Sequence, residues 1–112
     1  MLSLVQQAAD EALEYYKPGI PIRQAALKVD KIFAGAKMKM PHSLGHGTGL
    51  EIHEEPFVRS RAPLEDIFVP GMIVTLEPGL YDKDAGGVRL ENDILITENG
   101  NEVLTKSRIV RL

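Results

Sequence analysis

Apolar residues in the first third of the chain recur at three- and four-residue spacing: Leu4, Val5, Ala8, Ala9, Ala12, Leu13 and Tyr16, with Gln6, Gln7, Asp10, Glu11 and Glu14 between them. That spacing predicts a helix with one apolar stripe. Lys17-Pro18-Gly19 stops it, because proline disfavours helical geometry at the residue before it and glycine accepts the turn. Pro21 opens a second helix, in which Ile22, Ala25, Ala26, Val29, Ile32 and Phe33 keep the spacing until Gly35 and the Lys/Met stretch before Pro41. The two helices are expected to be antiparallel.

Beyond Pro41 the period changes from helical to alternating, and glycines enter at Gly45, Gly47, Gly49, Gly71, Gly79, Gly86 and Gly87. Side chains alternate across a strand, so in Leu50-Glu51-Ile52-His53 the pair Glu51 and His53 faces away from Leu50 and Ile52. In Ile73-Val74-Thr75-Leu76-Glu77, Thr75 and Glu77 share a face, and Val74 and Leu76 take the other. In Val88-Arg89-Leu90-Glu91-Asn92-Asp93, the charged residues Arg89, Glu91 and Asp93 lie on one side. Segments 56–70 and 81–87 read as loops, 94–97 continues a strand, and the turn at 98–101 leads into a terminal hairpin strand at 102–105. The fold class is α+β: two N-terminal helices packed on an antiparallel sheet.

Composition narrows the chemistry. The 112 residues carry 13 Lys+Arg against 16 Asp+Glu, a formal charge of −3, with no Cys and no Trp. One domain is the most such a length supports, and it buries enough surface to fold without a disulfide or a metal. Lack of cysteine excludes a disulfide framework, a thiolate metal site and a Cys nucleophile, leaving imidazole and carboxylate as metal donors. Scattered basic residues and few aromatics give no footprint for nucleic acid. No apolar run approaches the roughly 20 residues of a spanning helix, and no leader pattern opens the chain, so neither membrane nor secretion is expected and the cytoplasm is the default compartment.

All three histidines, His42, His46 and His53, fall in the most glycine-rich window. Taken singly, each reads first as a surface or hydrogen-bonded structural histidine, and only their clustering argues otherwise. Glu77, at a strand end before Pro78-Gly79, and Glu91, in an otherwise alternating strand, are each open to a solvated reading. Glu51, Glu54 and Glu55 read as a solvent-facing acidic cluster. One imidazole and two carboxylates from different strands would suit a divalent ion, but they assign no reaction.

Three ordered spellings are far more specific than any single residue. They are residues 41–54 (PHSLGHGTGLEIHE), 70–81 (PGMIVTLEPGLY) and 86–93 (GGVRLEND). Together they resemble the pita-bread metallopeptidases, a family of methionine aminopeptidases, Xaa-Pro aminopeptidases, Xaa-Pro dipeptidases and the metal-free creatinases. The likeness runs over nearly the whole chain. It favours the proline-cleaving branch, on His42 four residues before His46, on Glu77-Pro78-Gly79-Leu80-Tyr81 and on Val88-Arg89-Leu90-Glu91.

The resemblance implies metal ligands at His46, Glu77 and Glu91, with Glu91 bridging two ions, and catalytic roles for His42, His53, Glu77 and Arg89. His42 and His53 would be substrate-side imidazoles, Glu77 would also handle a proton, and Arg89 would orient the substrate or the ligands. The implied activity is metal-dependent hydrolysis of Xaa-Pro bonds in proline-containing dipeptides or peptides, with Mn²⁺ or Co²⁺ as the ions. The family's two aspartate ligands precede the helix with which this sequence opens, and Asp10 and Asp30 stand in helical patterns unlike them. Residues 1–112 are therefore expected to be a single partial domain, the C-terminal portion of a catalytic domain, with an incomplete two-ion site. Exposed sheet edges would then call for a homo-oligomer or a complementary N-terminal half. A non-catalytic pita-bread module, or a creatinase-like hydrolase that needs no metal, are the alternatives.

Overall fold

The two apolar stripes become the buried faces of two helices in the computed structural model, which describes residues 1–48, 54–84, 86–105 and 108–111. Helix α1 (Leu2–Leu13) buries Val5, Ala8, Ala9 and Ala12, and α2 (Ile22–Gly35) buries Ile22, Ala25, Ala26, Val29 and Phe33. They run antiparallel: Lys28 pairs with Glu11 at 3.4 Å, and Leu4 shares a shallow groove with Ile32 and Gly35. Helix α1 ends three residues before its stripe does. Tyr15 and Tyr16 donate N–H bonds to Ala12 and Leu13, three residues back, a tightened last turn that carries Tyr16 into the core.

Gly19, at φ 84°, makes the turn between the helices in a conformation that L side chains rarely adopt. Its N–H donates to the Phe68 carbonyl at 2.9 Å, Phe68 N–H returns to Ile20 at 3.0 Å, and Ile22 N–H reaches Asp66 at 2.8 Å. The Tyr16 and Phe68 rings stack 4.7 Å apart. The long connection that contains Phe68 is thus fastened to the helix junction.

Among the described residues seven strands follow: β1 (Gly45–Thr48), β2 (Glu54–Val58), β3 (Ile73–Leu76), β4 (Gly79–Asp82), β5 (Gly86–Ile96), β6 (Asn101–Val103) and β7 (Arg108–Arg111). Every strand pairing is antiparallel, in the order β2-β1-β3-β5. Strand β5 is long enough to pair twice along each edge, with β3 and β4 on one side and β6 and β7 on the other. Its alternation is the one expected. Leu90, Asn92, Ile94 and Ile96 are buried, and Leu90 and Ile94 line the same gap as Ala9 and Leu13 of α1. Arg89, Glu91 and Asp93 take the opposite, partly open face.

Three expectations need adjustment. Residues 56–58 belong to β2 rather than to a loop, because an edge strand tolerates the missing N–H of Pro56. The loop read at 81–87 gives up both its ends to strands, with Tyr81 paired to Gly87 and Asp82 to Gly86. Strand β7 has no counterpart among the alternating segments of the sequence. The strand expected at 50–53 lies outside the described residues. No helix among the described residues is long and apolar enough to cross a membrane.

Candidate metal centre

The open face of β3 and β5 collects the polar residues that alternation placed there. Leu76 pairs with Asn92 and Gly79 with Arg89, and Leu90 N–H donates to the Pro78 carbonyl at 3.1 Å. One register therefore continues from β3 into β4, and it sets Glu77 opposite Glu91. Directly opposed residues on one sheet face have Cβ atoms about 4.5–5.5 Å apart. Glu77 is further anchored by its own N–H, which donates to the Leu44 carbonyl at 2.6 Å.

His46 arrives from β1, where the pairing with β2 is irregular between His46 and Gly47. Such bulges re-aim side chains and recur beside active sites. The strand can lie this close to β3 because position 45 is glycine: a Cβ there would stand 1.8 Å from the Thr75 carbonyl oxygen.

The His46 ring reaches Glu77, with Nε2 3.3 Å from Oε2. Its Nδ1 lies 3.0 Å from the Gly47 carbonyl oxygen. A carbonyl only accepts, so Nδ1 carries a proton, and Nε2 is the ring nitrogen that faces the carboxylate. A proton on Nε2 or a metal ion between the two groups satisfies this contact equally. The donor set, imidazole nitrogen and carboxylate oxygen with the second ring nitrogen hydrogen-bonded to backbone, fits a divalent ion.

Glu91 is engaged differently. Arg89 Nε donates to its Oε1 at 2.7 Å, and Arg108 Nη2 pairs with Oε2. The Arg108 guanidinium holds the Glu91 carboxyl below the usual carboxylate range; partial burial opposes this, and Arg89 adds to it. Among the described residues, no three His, Asp or Glu side chains gather closely enough to hold an ion. The structure thus brings His46 and Glu77 together and places Glu91 on the neighbouring strand with its oxygens turned to two guanidinium groups.

His42 makes a separate set of contacts. Its Nδ1 lies 2.8 Å from the Ser43 carbonyl and its Nε2 2.6 Å from the Tyr81 hydroxyl. Nδ1 donates to that carbonyl, and Nε2 shares a hydrogen bond with the phenol. Arg89 hydrogen-bonds Tyr81 as well as Glu91, and these bonds outweigh the burial that works against its charge. His53 lies outside the described residues.

Thr75, Tyr81, Arg108 and Tyr16 were not singled out by sequence. The signal for Thr75 was present, since alternation puts it on the face of Glu77. Tyr81 stands inside a quoted motif. Arg108 gave none, because its partner is reached only through the distant β5–β7 pairing. Tyr16 read as a core residue, yet its hydroxyl donates to the Thr75 carbonyl at 2.8 Å.

Burial, then the nearby Glu77 charge, raises the Tyr16 pKa well above the ordinary tyrosine value. A group whose folded pKa is raised stabilises the fold fully below its unfolded pKa, about 10, and loses that contribution as pH climbs toward the folded value. Tyr16→Phe should therefore cost about 1 kcal/mol at pH 7 through the lost hydrogen bond and flatten the decline in stability above about pH 10. Urea midpoints at the two pH values check this; parallel declines in both proteins would refute it.

Comparison with known proteins places this geometry. The model of metallopeptidase family M24 matches residues 1–98. A Bacillus subtilis protein described as an uncharacterized peptidase is 52% identical over 97 residues, which cover 83% of this chain and 26% of that protein. The Xaa-Pro dipeptidase of Pyrococcus horikoshii is 43% identical over 106 residues, covering 93% of this chain and 30% of the relative. The crystal structure of a prolidase from Pyrococcus horikoshii superposes with a TM-score of 0.87 at 42% identity, over 95% of this chain and 30% of that one. The chain spans 26–30% of the length of these proteins. The helices and antiparallel sheet are those of pita-bread-fold prolidases and aminopeptidases.

Proposed function

This chain belongs to metallopeptidase family M24, and from that membership we propose that it supplies the His46, Glu77 and Glu91 portion of a divalent-metal centre in an Xaa-Pro peptidase. The observation that carries the reading is the contact of His46 Nε2 with Glu77 Oε2 at 3.3 Å, with Glu91 next to Glu77 in strand register. Mn²⁺ and Co²⁺ suit a set of one imidazole and carboxylates. Such an ion, when bound, polarises a water and the scissile carbonyl.

The remaining roles belong to side chains of this chain. Glu77 takes up a proton on its carboxylate. His53 donates to the developing oxyanion, as positioned donors do in acyl transfer. Arg89 holds the Glu91 carboxylate and orients the substrate, with His42 and Tyr81 fixing Arg89 in turn. A proline-containing dipeptide or short peptide is the substrate class, and the family's two aspartate ligands are not among residues 1–112. The family alternative, a module that binds without catalysis, is favoured by the two guanidinium groups that occupy Glu91.

Hydrolysis of Gly-Pro and Ala-Pro with added Mn²⁺, measured on the chain alone and mixed with a complementary polypeptide that carries the aspartates, separates the two readings. Activity is expected in the mixture only. A well-folded mixture without activity would remove the peptidase reading in favour of the binding module.

A further inference from the structure

The Thr75 hydroxyl sits between the two halves of the His46–Glu77 contact. Its Oγ1 accepts the His46 backbone N–H at 3.0 Å and donates to Glu77 Oε2 at 2.7 Å, the same oxygen that faces the His46 ring. A hydroxyl has a single proton and accepts through its lone pairs. Because the His46 N–H can only donate, the hydroxyl proton must point elsewhere, and Glu77 is where it points. The direction of this bond is fixed by the backbone of β1.

Thr75 itself has little freedom. It is 8% exposed and paired with Asp93. Its carbonyl accepts from the buried Tyr16 hydroxyl at 2.8 Å and lies against Gly45. A β-branched side chain on a strand is also restricted at χ1.

We propose that Thr75 is a positioning residue of this centre, whose hydroxyl sets the orientation of the Glu77 carboxylate and the His46 strand together and so sets affinity for a divalent ion. The proposal deepens, and rests on, the reading of His46 and Glu77 as ligands. Groups that orient metal ligands typically change metal affinity by 10–100-fold when removed. Serine keeps the hydroxyl and should restore what valine, of nearly the same shape, loses.

The test compares the wild-type chain with Thr75→Val, Thr75→Ser and Glu77→Gln. Each is titrated with Co²⁺ by visible absorption, and the ¹⁵N resonances of the His46 imidazole and amide are followed without metal. Thr75→Val should bind Co²⁺ roughly tenfold or more weakly than wild type, Thr75→Ser within about threefold of it, and Glu77→Gln most weakly. Without metal, the His46 resonances should move in Thr75→Val and return in Thr75→Ser. Wild-type Co²⁺ affinity in Thr75→Val, or unmoved His46 resonances, would overturn the proposal. Failure of the wild-type chain to bind Co²⁺ strikes the ligand reading instead, and the metal-free resonances then decide the role of Thr75. If the valine variant does not fold, Thr75→Ala replaces it with the same expected outcomes.

Discussion

Replacing Glu77 with glutamine is expected to lower Xaa-Pro hydrolysis by the assembled domain about a thousandfold while leaving the fold intact. Charge stabilisation by a bound ion contributes several kcal/mol to such reactions, and about 4 kcal/mol corresponds to three powers of ten in rate. The amide keeps an oxygen that can accept from Thr75, so the hydrogen bond at Oε2 has a replacement. The glutamine lacks the negative charge that faces His46 Nε2 at 3.3 Å. Side-chain burial at this position is partial, so thermal stability should change by no more than about 1 kcal/mol. Rates with Ala-Pro and a melting curve on the same preparation check both parts. Near wild-type activity in a well-folded Glu77→Gln domain would mean that Glu77 is not a ligand.

Gly45→Ala is expected to be more damaging than an added methyl at Gly19, Gly35, Gly71, Gly79, Gly87 or Gly100. The added Cβ would stand 1.8 Å from the Thr75 carbonyl oxygen and 2.7 Å from its carbon. That carbonyl cannot withdraw cheaply, because Tyr16 donates to it from the buried side and β3 pairs with both neighbouring strands. Overpacking a rigid site costs about 1–3 kcal/mol and sometimes more, and this contact lies at the severe end. At roughly 4–8 °C per kcal/mol for a domain of this size, a loss of about 3 kcal/mol lowers Tm by more than about 12 °C. Gly35→Ala, at a helical position with nothing within 4 Å, is the control and should be neutral or mildly stabilising. Equal melting temperatures for the two variants would contradict the packing described for β1 against β3.

Much of this was legible from local pattern. The stripe of Val5, Ala8, Ala9 and Ala12 and the alternation of Arg89, Glu91 and Asp93 are local periodicities, and local periodicity survives folding when one face is buried. Thr75 and Glu77 were assigned to one face for the same reason. Strand β2 was misread at Pro56 because proline signals a break unless the strand is at an edge, and edge position is a tertiary fact. Arg108 and Tyr16 escaped for a related reason. Each acts on a residue far along the chain, Glu91 in one case and Thr75 in the other, and no periodicity encodes such a meeting. The neighbourhood of Glu77 and Glu91 depends on the β3–β5 register, which the strand patterns made possible without specifying. The motifs at 41–54, 70–81 and 86–93 imply His46, Glu77 and Glu91 as a set by resemblance alone.

The central claim is that His46, Glu77 and Glu91 hold one divalent ion between β1, β3 and β5. Crystals of the chain equilibrated with Mn²⁺ and measured at an anomalous wavelength test it most directly. The claim predicts a peak about 2.0–2.3 Å from His46 Nε2 and from a Glu77 oxygen, with the Glu91 carboxylate turned from Arg108 toward the ion. A peak elsewhere on the molecule, or His46 and Glu77 unchanged and ion-free at saturating Mn²⁺, would contradict it.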